Sequence, residues 1–138
     1  MAVECFLDTN VLVYAAAGGG PDEAKRRRAL ELIEQEDFGL SAQVLQEFFV
    51  TVVRKIARPL SAGQALEWIE QLAVFPCLPI DAALVKIAVE ASERYRISYW
   101  DASIVAAARE LGAKTLYTED LGDGQRYGSL VARNPFTG

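Results

Sequence analysis

The sequence predicts an α/β fold with a mainly parallel central sheet flanked by helices. Short apolar runs of strand length alternate along the chain with longer amphipathic stretches, an order typical of parallel sheets. With 138 residues, the chain is long enough to bury a sizeable core without a disulfide or a metal ion. No repeat, linker or low-complexity segment divides the sequence. We therefore expect a single domain over residues 1–138.

The first half of the chain begins with a predicted strand and continues, after a brief helical stretch, with further helices. The apolar run "AVECFL" at 2–7 predicts a buried strand that ends at Asp8. The "GGGP" segment at 18–21 interrupts the chain, and Ser41 and Ser61 each stand where a helix N-cap is expected. The other predicted elements are a helix over 22–36, a strand at 38–41, a helix over 42–57 and a helix from Ser61 to Ala73.

The second half repeats the alternation of strands and helices. The run "VFPCLPI" at 74–80 predicts a third strand, although Pro76 and Pro79 cannot donate hydrogen bonds to a neighbouring strand. Gly112 follows the last helix where a glycine often ends one. The other predicted elements are a helix from Asp81 to Tyr95, a helix opened by Ser98, a strand at 113–118, a turn at 121–125 and an edge strand at 129–134.

The composition is typical of a soluble globular protein, with 51% hydrophobic and 24% charged residues. No apolar run approaches the ~18 residues of a membrane span, and the first residues lack the pattern of an export signal. We therefore expect a cytoplasmic protein with no membrane partner. Cys5 and Cys77 each lie among apolar residues, which indicates reduced core thiols rather than a disulfide or a zinc site.

The charged residues limit the chemistry that the chain can perform. Fourteen basic and nineteen acidic residues give a net charge of −5, which by itself argues against a nucleic-acid partner. The chain has no histidine, which excludes histidine-based acid–base catalysis and histidine-ligated zinc or iron. An enzyme with this sequence would therefore depend on carboxylates, hydroxyls or a bound cation.

Several acids are expected to meet at one edge of the sheet. Asp8 follows the first strand, and Glu119 and Asp120 follow the strand at 113–118, so all lie at carboxyl ends of strands, where open α/β sheets bind ligands. Asp101 falls within the apolar face of its helix and is therefore expected to point inward from the same side. The apolar residues of that face are Trp100, Ile104, Val105, Ala108 and Leu111.

Each acid also has a simpler interpretation. Asp101 stands three residues after Ser98, the spacing of a helix capping box. Asp8 can cap the helical turn that follows it, and the acids at 119, 120 and 123 can be ordinary turn residues. Glu47 lies just outside the apolar stripe of its predicted helix, so periodicity alone assigns it no role.

Carboxylates gathered in this way need a compensating charge. Two of them ~4 Å apart repel by about 4 kcal/mol at an effective dielectric constant near 20. A divalent cation attracts each carboxylate more strongly than its neighbours repel it, and oxygen ligands without histidine or cysteine select Mg²⁺ or Mn²⁺. Such an ion lowers the pKa of bound water and neutralises phosphate charge, which suits hydrolysis of a phosphodiester.

Four segments in order, "FLDTNVLVYA", "SAQVLQEFFVTVVRK", "YWDASIVAAA" and "LYTEDLGDGQ", resemble the signature of the PIN domain. The closest resemblance is to the VapC-type ribonuclease toxins of toxin–antitoxin pairs, and it extends to "NPF" at 134–136. It implies a PIN-like three-layer fold. The implied acids are Asp8, Glu47, Asp101 and Asp120, with Thr9, Asn10 and Thr118 in support and Asp123 as a further candidate metal ligand. The sequence leaves open which of Glu119, Asp120 and Asp123 completes the site.

The resemblance implies a Mg²⁺- or Mn²⁺-dependent endoribonuclease in which a metal-activated water attacks the phosphorus of an RNA substrate. It also implies a homodimer and an antitoxin protein as partner, bound along the helices that start at 42 and 61. Basic residues outside the acidic site, including the "KRRR" run at 25–28, can follow an RNA backbone. The same run can equally be a solvated helix face with internal charge pairs.

Other functions fit the sequence less well. A haloacid-dehalogenase-like phosphatase needs a second Asp two residues after the first, and Asn10 stands there. A receiver domain needs an acidic pair near the first strand and a lysine after a late one, and neither is present. A PIN-like module that binds RNA or a partner without cutting stays open.

Overall fold

A mainly parallel sheet forms the centre of the computed structural model, which describes residues 2–137. Its strands are β1 (Cys5–Leu7), β2 (Phe38–Ser41), β3 (Cys77–Leu78), β4 (Thr115–Tyr117), β5 (Arg126–Tyr127) and β6 (Leu130–Arg133). They lie in the order β3-β2-β1-β4-β6-β5, and only the β5–β6 pair is antiparallel. The predicted α/β class with a mainly parallel sheet is confirmed.

Helices connect β1 with β2, β2 with β3 and β3 with β4, whereas the connection from β4 to β6 contains β5. Their bounds are α1 (Thr9–Ala17), α2 (Glu23–Gln35), α3 (Ala42–Arg54), α4 (Ala62–Leu72), α5 (Ala82–Tyr95) and α6 (Tyr99–Glu110), with a short 3₁₀ turn at Gly20–Asp22 before α2. The predicted caps are confirmed: Ser41, Ser61, Asp81 and Ser98 each accept a hydrogen bond from a backbone N–H in the first turn of the helix that follows. Among the helices of residues 2–137, none combines the length and apolar character needed to cross a bilayer.

The core lies between the sheet and the helices. Every residue of β1 and β2 is buried, because helices cover both faces of the sheet. Helix α6 is buried from Ala102 to Ala108, so only its ends reach the surface. Cys5 is buried in this core, Cys77 is half-buried, and both are free thiols. This rigid centre holds the carboxyl ends of β1 and β4 side by side.

Two elements are shorter than the sequence predicts. Strand β3 has only two residues, because Pro76 and Pro79 flank it; the Pro76 carbonyl still accepts a hydrogen bond from Leu40 N at 2.9 Å. Helix α3 ends at Arg54 rather than at 57, and Leu60 N donates to the Val52 carbonyl at 2.8 Å. The returning chain thus satisfies a helix-end carbonyl that a longer helix would have used.

The prediction that residues 129–134 form an edge strand is wrong in one respect. They do form a strand, β6, but it lies between β4 and β5. Strand β5 was not predicted; it pairs with β6 through a two-residue turn at Gly128 and Ser129. Gly128 has φ of +67°, a conformation that favours glycine at such a turn. The Gly-Ser pair between apolar residues is the signal that could have found this hairpin.

Candidate functional site

The acids predicted from the sequence lie around the carboxyl ends of β1 and β4. The chain runs from β1 outward through β2 and β3 on one side, and then returns to place β4 and β6 on the other. Asp8 follows β1 and Thr118 follows β4. Helix α3, which follows β2, carries Glu47, and α6, which precedes β4, carries Asp101 near its start. The site is therefore at a switch point in strand order, where α/β sheets form a crevice.

Asp8 is the most buried of these acids, with 5% of its surface exposed. Its Oδ1 accepts a hydrogen bond from Thr9 N at 2.7 Å, and its Oδ2 accepts one from Thr118 Oγ1 at 2.8 Å. Burial raises the pKa of Asp8 to about 7, with a smaller contribution from the charges of Asp120 and Glu47, while the two hydrogen bonds act in the opposite direction. Helix capping therefore accounts for one oxygen of Asp8 and leaves its unfavourable burial unexplained.

Glu47 is held by two donors. Thr9 Oγ1 donates to its Oε1 at 2.8 Å, and Gln43 Nε2 donates to its Oε2 at 3.1 Å. Gln43 Nε2 also donates to the backbone carbonyl of Trp100 at 3.2 Å. Sequence reasoning missed Gln43, although its position four residues before Glu47 on one helix face was the available signal. This buried amide connects α3 with the first turn of α6.

Asp101 forms only half of the capping box that its spacing predicted. Its backbone N–H donates to Ser98 Oγ at 3.1 Å, but the reciprocal bond, present between Ser61 and Gln64 in α4, is not found here in residues 2–137. Burial raises the pKa of Asp101, as do the charges of Asp120 and Glu47, while the Ser98 hydroxyl lowers it. Asp8 and Asp101 thus have the same two charged neighbours.

The three acids after β4 have different environments. Asp120 Oδ2 accepts a hydrogen bond from Asn10 Nδ2 at 3.0 Å, and Asp120 N donates to Thr118 Oγ1 at 3.0 Å. Glu119 accepts hydrogen bonds from the side chains of Tyr14 and Lys25. Asp123 Oδ1 accepts one from the backbone N–H of Asn134 at 3.0 Å. Asp120 is the acid of this loop that joins the others. Asp123, also predicted from the sequence as a candidate ligand, is not among the charges that raise the pKa values of Asp8 and Asp101.

We use the name acidic site for Asp8, Glu47, Asp101 and Asp120. Within residues 2–137, no lysine or arginine forms an ion pair with any of them. The buried Oδ1 of Asn10, beside Asp120, has no hydrogen-bond partner in the same residues. These oxygen donors suit a hard divalent cation. As they stand, no three acidic or thiol side chains of residues 2–137 are arranged to hold an ion. Glu47 and Asp120 instead accept hydrogen bonds from side chains of the protein.

Comparison with known proteins identifies the family. The PIN domain model matches residues 5–122. The chain belongs to the PIN-domain family. A comparison of its sequence with curated proteins gives no match.

Solved structures of toxins and toxin–antitoxin complexes share the fold. A toxin–antitoxin complex from Klebsiella pneumoniae is 21% identical and covers 96% of this chain and 98% of its own, with a TM-score of 0.70. VapC20 of Mycobacterium tuberculosis, a toxin that cleaves the sarcin-ricin loop, is 22% identical over 85% of this chain and 90% of its own, with a TM-score of 0.67. VapBC2 of Rickettsia felis, bound to a promoter DNA fragment, is 20% identical over 94% and 97%, with a TM-score of 0.63. The predicted VapC-like fold is confirmed.

A groove of about 1200 Å³ opens beside the acidic site of this PIN domain. Its lining includes Glu47 and Asp120 and also two basic residues just after α3, Lys55 and Arg58. Neither of these basic residues forms an ion pair within residues 2–137. An extended polyanion in the groove would therefore meet unpaired positive charge.

The basic run at 25–28 has a different character. Arg26 and Arg27 pair with Glu23, Arg28 pairs with Glu31, and Lys25 pairs with Glu119. The interpretation of this run as a helix face with charge pairs is therefore confirmed, and Lys55 and Arg58 are the stronger candidates for contact with a nucleic acid.

Proposed function

We propose that this PIN domain is a divalent-metal-dependent endoribonuclease, acting as the toxin of a VapBC-like toxin–antitoxin pair. The observation that carries the proposal is the acidic site itself. Carboxylates from four separate segments lie within electrostatic range of one another, and none has a cationic partner in residues 2–137. Burial of Asp8 beside other carboxylates and without a counter-charge is costly, so the arrangement is best explained by a bound cation.

Mg²⁺ or Mn²⁺ is the cation that these donors favour, and Asp8, Asp101, Asp120 and Glu47 would hold it. The buried, unpartnered Oδ1 of Asn10 is a further oxygen of the same chemical type. When bound, such an ion acidifies a water molecule and neutralises phosphate charge, which is the chemistry that phosphodiester hydrolysis requires.

The chain's own residues position the reactants. Thr118 and the backbone of Thr9 hold both oxygens of Asp8, while the Thr9 hydroxyl and Gln43 hold those of Glu47. Lys55 and Arg58 line the same groove as Glu47 and Asp120 and supply charge for phosphates of the substrate strand. Hydrolysis transfers a water oxygen to phosphorus and releases the 3′ oxygen of the preceding nucleotide as a hydroxyl, so no side chain need form a covalent bond.

The first test is cleavage of structured RNA by the purified protein with Mn²⁺, with and without EDTA. We expect cleavage that EDTA and Asp8→Asn both abolish, because each removes the cation from the acidic site. Asp123→Asn is the matched control, since Asn keeps an acceptor oxygen for Asn134 N and lies outside the acidic site. RNA binding without cleavage would support a non-catalytic PIN-like module, and activity on phosphomonoesters alone would support a phosphatase.

The toxin role adds an antitoxin protein as a partner. Support comes from the structural neighbours, several of which are toxin–antitoxin complexes. Apolar side chains exposed on α3 and α4 also fit a partner or a second copy of the chain; they are Phe49, Val50 and Leu66. Expression of the chain alone should arrest growth, and co-expression of a short neighbouring reading frame should relieve the arrest. Relief without formation of a complex would contradict the antitoxin assignment.

A further inference from the structure

Gln43 connects two acids of the acidic site that come from different helices. Its Nε2 atom donates one hydrogen bond to Glu47 Oε2 at 3.1 Å and another to the backbone carbonyl of Trp100 at 3.2 Å. A side-chain amide nitrogen carries two protons, so both are used. The Trp100 carbonyl belongs to the peptide group that leads into Asp101. Gln43 thus ties the carboxylate of one acid to the backbone of another.

Trp100 takes part in this connection through its backbone and not through its side chain. Contrary to the prediction that it lies in the apolar face of α6, 64% of Trp100 is exposed. That prediction is wrong because a helical wheel does not show where a helix extends past the core, and Trp100 lies in the first turn. In the same turn, Asp101 N donates to Ser98 Oγ at 3.1 Å. The peptide group between Trp100 and Asp101 is therefore held by the helix cap on one side and by Gln43 on the other.

The bond from Gln43 to Trp100 spans two helices that belong to opposite sides of β1. Helix α3 follows β2 and α6 precedes β4, and β1 lies between these two strands. Within residues 2–137, it is the one hydrogen bond between α3 and α6. Gln43 is 5% exposed, so water does not compete freely for this bond. Without it, the first turn of α6 would have no hydrogen bond to α3.

Packing alone does not account for an amide at position 43. Burial of an amide costs free energy unless its polar groups are hydrogen-bonded. The other buried residues of α3 are apolar; they are Val44, Phe48 and Val52. The two acceptors of Gln43, one of them a carboxylate of the acidic site, explain why a polar residue is buried here.

A neutral donor also suits a carboxylate that is to bind a cation. A lysine at this position would pair with Glu47 and compete with the ion, whereas an amide holds the carboxylate without neutralising it. Each carboxylate oxygen has a second lone pair. The hydrogen bonds from Gln43 and Thr9 therefore leave Glu47 able to bind an ion.

We propose that Gln43 is a positioning residue that sets the spacing of Glu47 and Asp101 for a divalent cation. This inference rests on the proposed function and adds to it a residue that need touch neither the cation nor the RNA. Hydrogen-bond partners of metal ligands contribute about 10–100-fold to metal affinity, because they hold the ligands in the geometry that the ion needs. Loss of the amide should therefore weaken cation binding even where the fold is kept.

Calorimetric titration of the metal-free protein with Mn²⁺ at pH 7.5 tests the proposal without RNA. Gln43→Met keeps the length of the side chain but donates no hydrogen bond, and it should raise the Kd for Mn²⁺ about tenfold or more. Gln64→Met is the matched control, because it removes a glutamine of the α4 capping box, outside the acidic site, and should leave this Kd unchanged. Gln43→Asn keeps the amide on a shorter side chain and should lie between; it replaces Gln43→Met if that variant does not fold.

A double-mutant cycle with Glu47→Gln tests whether Gln43 acts through Glu47. In the Glu47→Gln background, Gln43→Met should raise the Kd for Mn²⁺ by a smaller factor than in the unmodified chain, because the carboxylate that it positions is absent. An equal factor in the two backgrounds would mean that the amide affects the cation by another route and would overturn the proposal.

Cleavage of RNA provides a readout that a purely structural role would not change. Gln43→Met should cut slowly at low Mn²⁺ and recover at saturating Mn²⁺, because a higher concentration offsets weaker binding. A lower Tm in EDTA with an unchanged Kd for Mn²⁺ would mean that the amide only stabilises the fold, which would overturn the proposal. Cation binding without cleavage in the unmodified protein would contradict the ribonuclease alone, whereas no cation binding would contradict both proposals.

Discussion

Glu119 and Asp120 are adjacent in sequence, yet their carboxylates belong to two differently built regions. Glu119 accepts hydrogen bonds from Tyr14 OH at 2.6 Å and Lys25 Nζ at 3.1 Å, and Lys25 also lies over the Tyr14 ring, 4.8 Å from its centroid. Asp120 has the Asn10 amide as its side-chain donor and other carboxylates as charged neighbours. We call Glu119, Tyr14 and Lys25 the Glu119 cluster.

The two regions differ in whether the protein itself neutralises the carboxylates. In the Glu119 cluster the chain supplies its own cation, so the carboxylate needs nothing further. In the acidic site, hydroxyls and amides hold the oxygens in place but leave the charge uncompensated in residues 2–137. Oxygen donors without internal compensation suit a cation, because the ion then does not compete with an arginine or lysine.

The largest expected effect comes from neutralising one acid in each region. Asp101→Asn should lower kcat/KM for RNA more than about 100-fold, since even outer partners of metal ligands are worth 10–100-fold. Glu119→Gln, the matched variant in the Glu119 cluster, should change it less than about threefold. The measurement is single-turnover cleavage with saturating Mn²⁺. Equal losses in both variants would mean that the two regions are one site.

The pH dependence of stability should also distinguish the regions. The folded-state pKa of Asp8 is about 7, against an ordinary value of 3.8, so the folded protein binds this proton more tightly than the unfolded chain. Stability of the metal-free protein should therefore fall as pH rises from about 4 to 7, because unfolding releases a carboxylate from an unfavourable site. Over roughly three pKa units at about 1.4 kcal/mol each, the effect is on the order of 10 °C in Tm.

Thermal unfolding in EDTA across that pH range provides the measurement, read as the difference between the unmodified chain and Asp8→Asn. The variant should lose this part of the slope and gain stability at pH 7.5, whereas Asp123→Asn should keep the slope. Added Mg²⁺ should raise Tm more at pH 7.5 than at pH 5, because protons and the cation compete for Asp8. If Tm depended on pH equally in Asp8→Asn and in the unmodified chain, the burial of Asp8 would not be the cause of the dependence.

Much of this comparison was predictable from the sequence, because the relevant signals are local. Asp8 and Asp120 stand at strand ends that apolar runs define, and the order of four motifs identified the family. Glu47 was assigned through that resemblance alone, because its contacts with Thr9 and Gln43 depend on how α3 packs against α1 and α6. The role of Glu119 was open for the same reason: Lys25 is 94 residues away in the chain and meets it only in the fold. Exposure of Trp100 likewise depends on where α6 begins relative to the sheet.

The smallest expected effect lies in the ion pair of the Glu119 cluster. Lys25→Met keeps the side-chain length but removes the charge from a pair whose side chains are 37% and 23% exposed. Such pairs contribute up to about 1 kcal/mol, so Tm should fall by no more than a few degrees and RNA cleavage should stay within about twofold. A double-mutant cycle with Glu119→Gln measures the coupling between the two side chains. Cleavage reduced tenfold or more by Lys25→Met would contradict the separation of the regions, because it would mean that the lysine acts on the reacting phosphate and that Glu119 restrains it there.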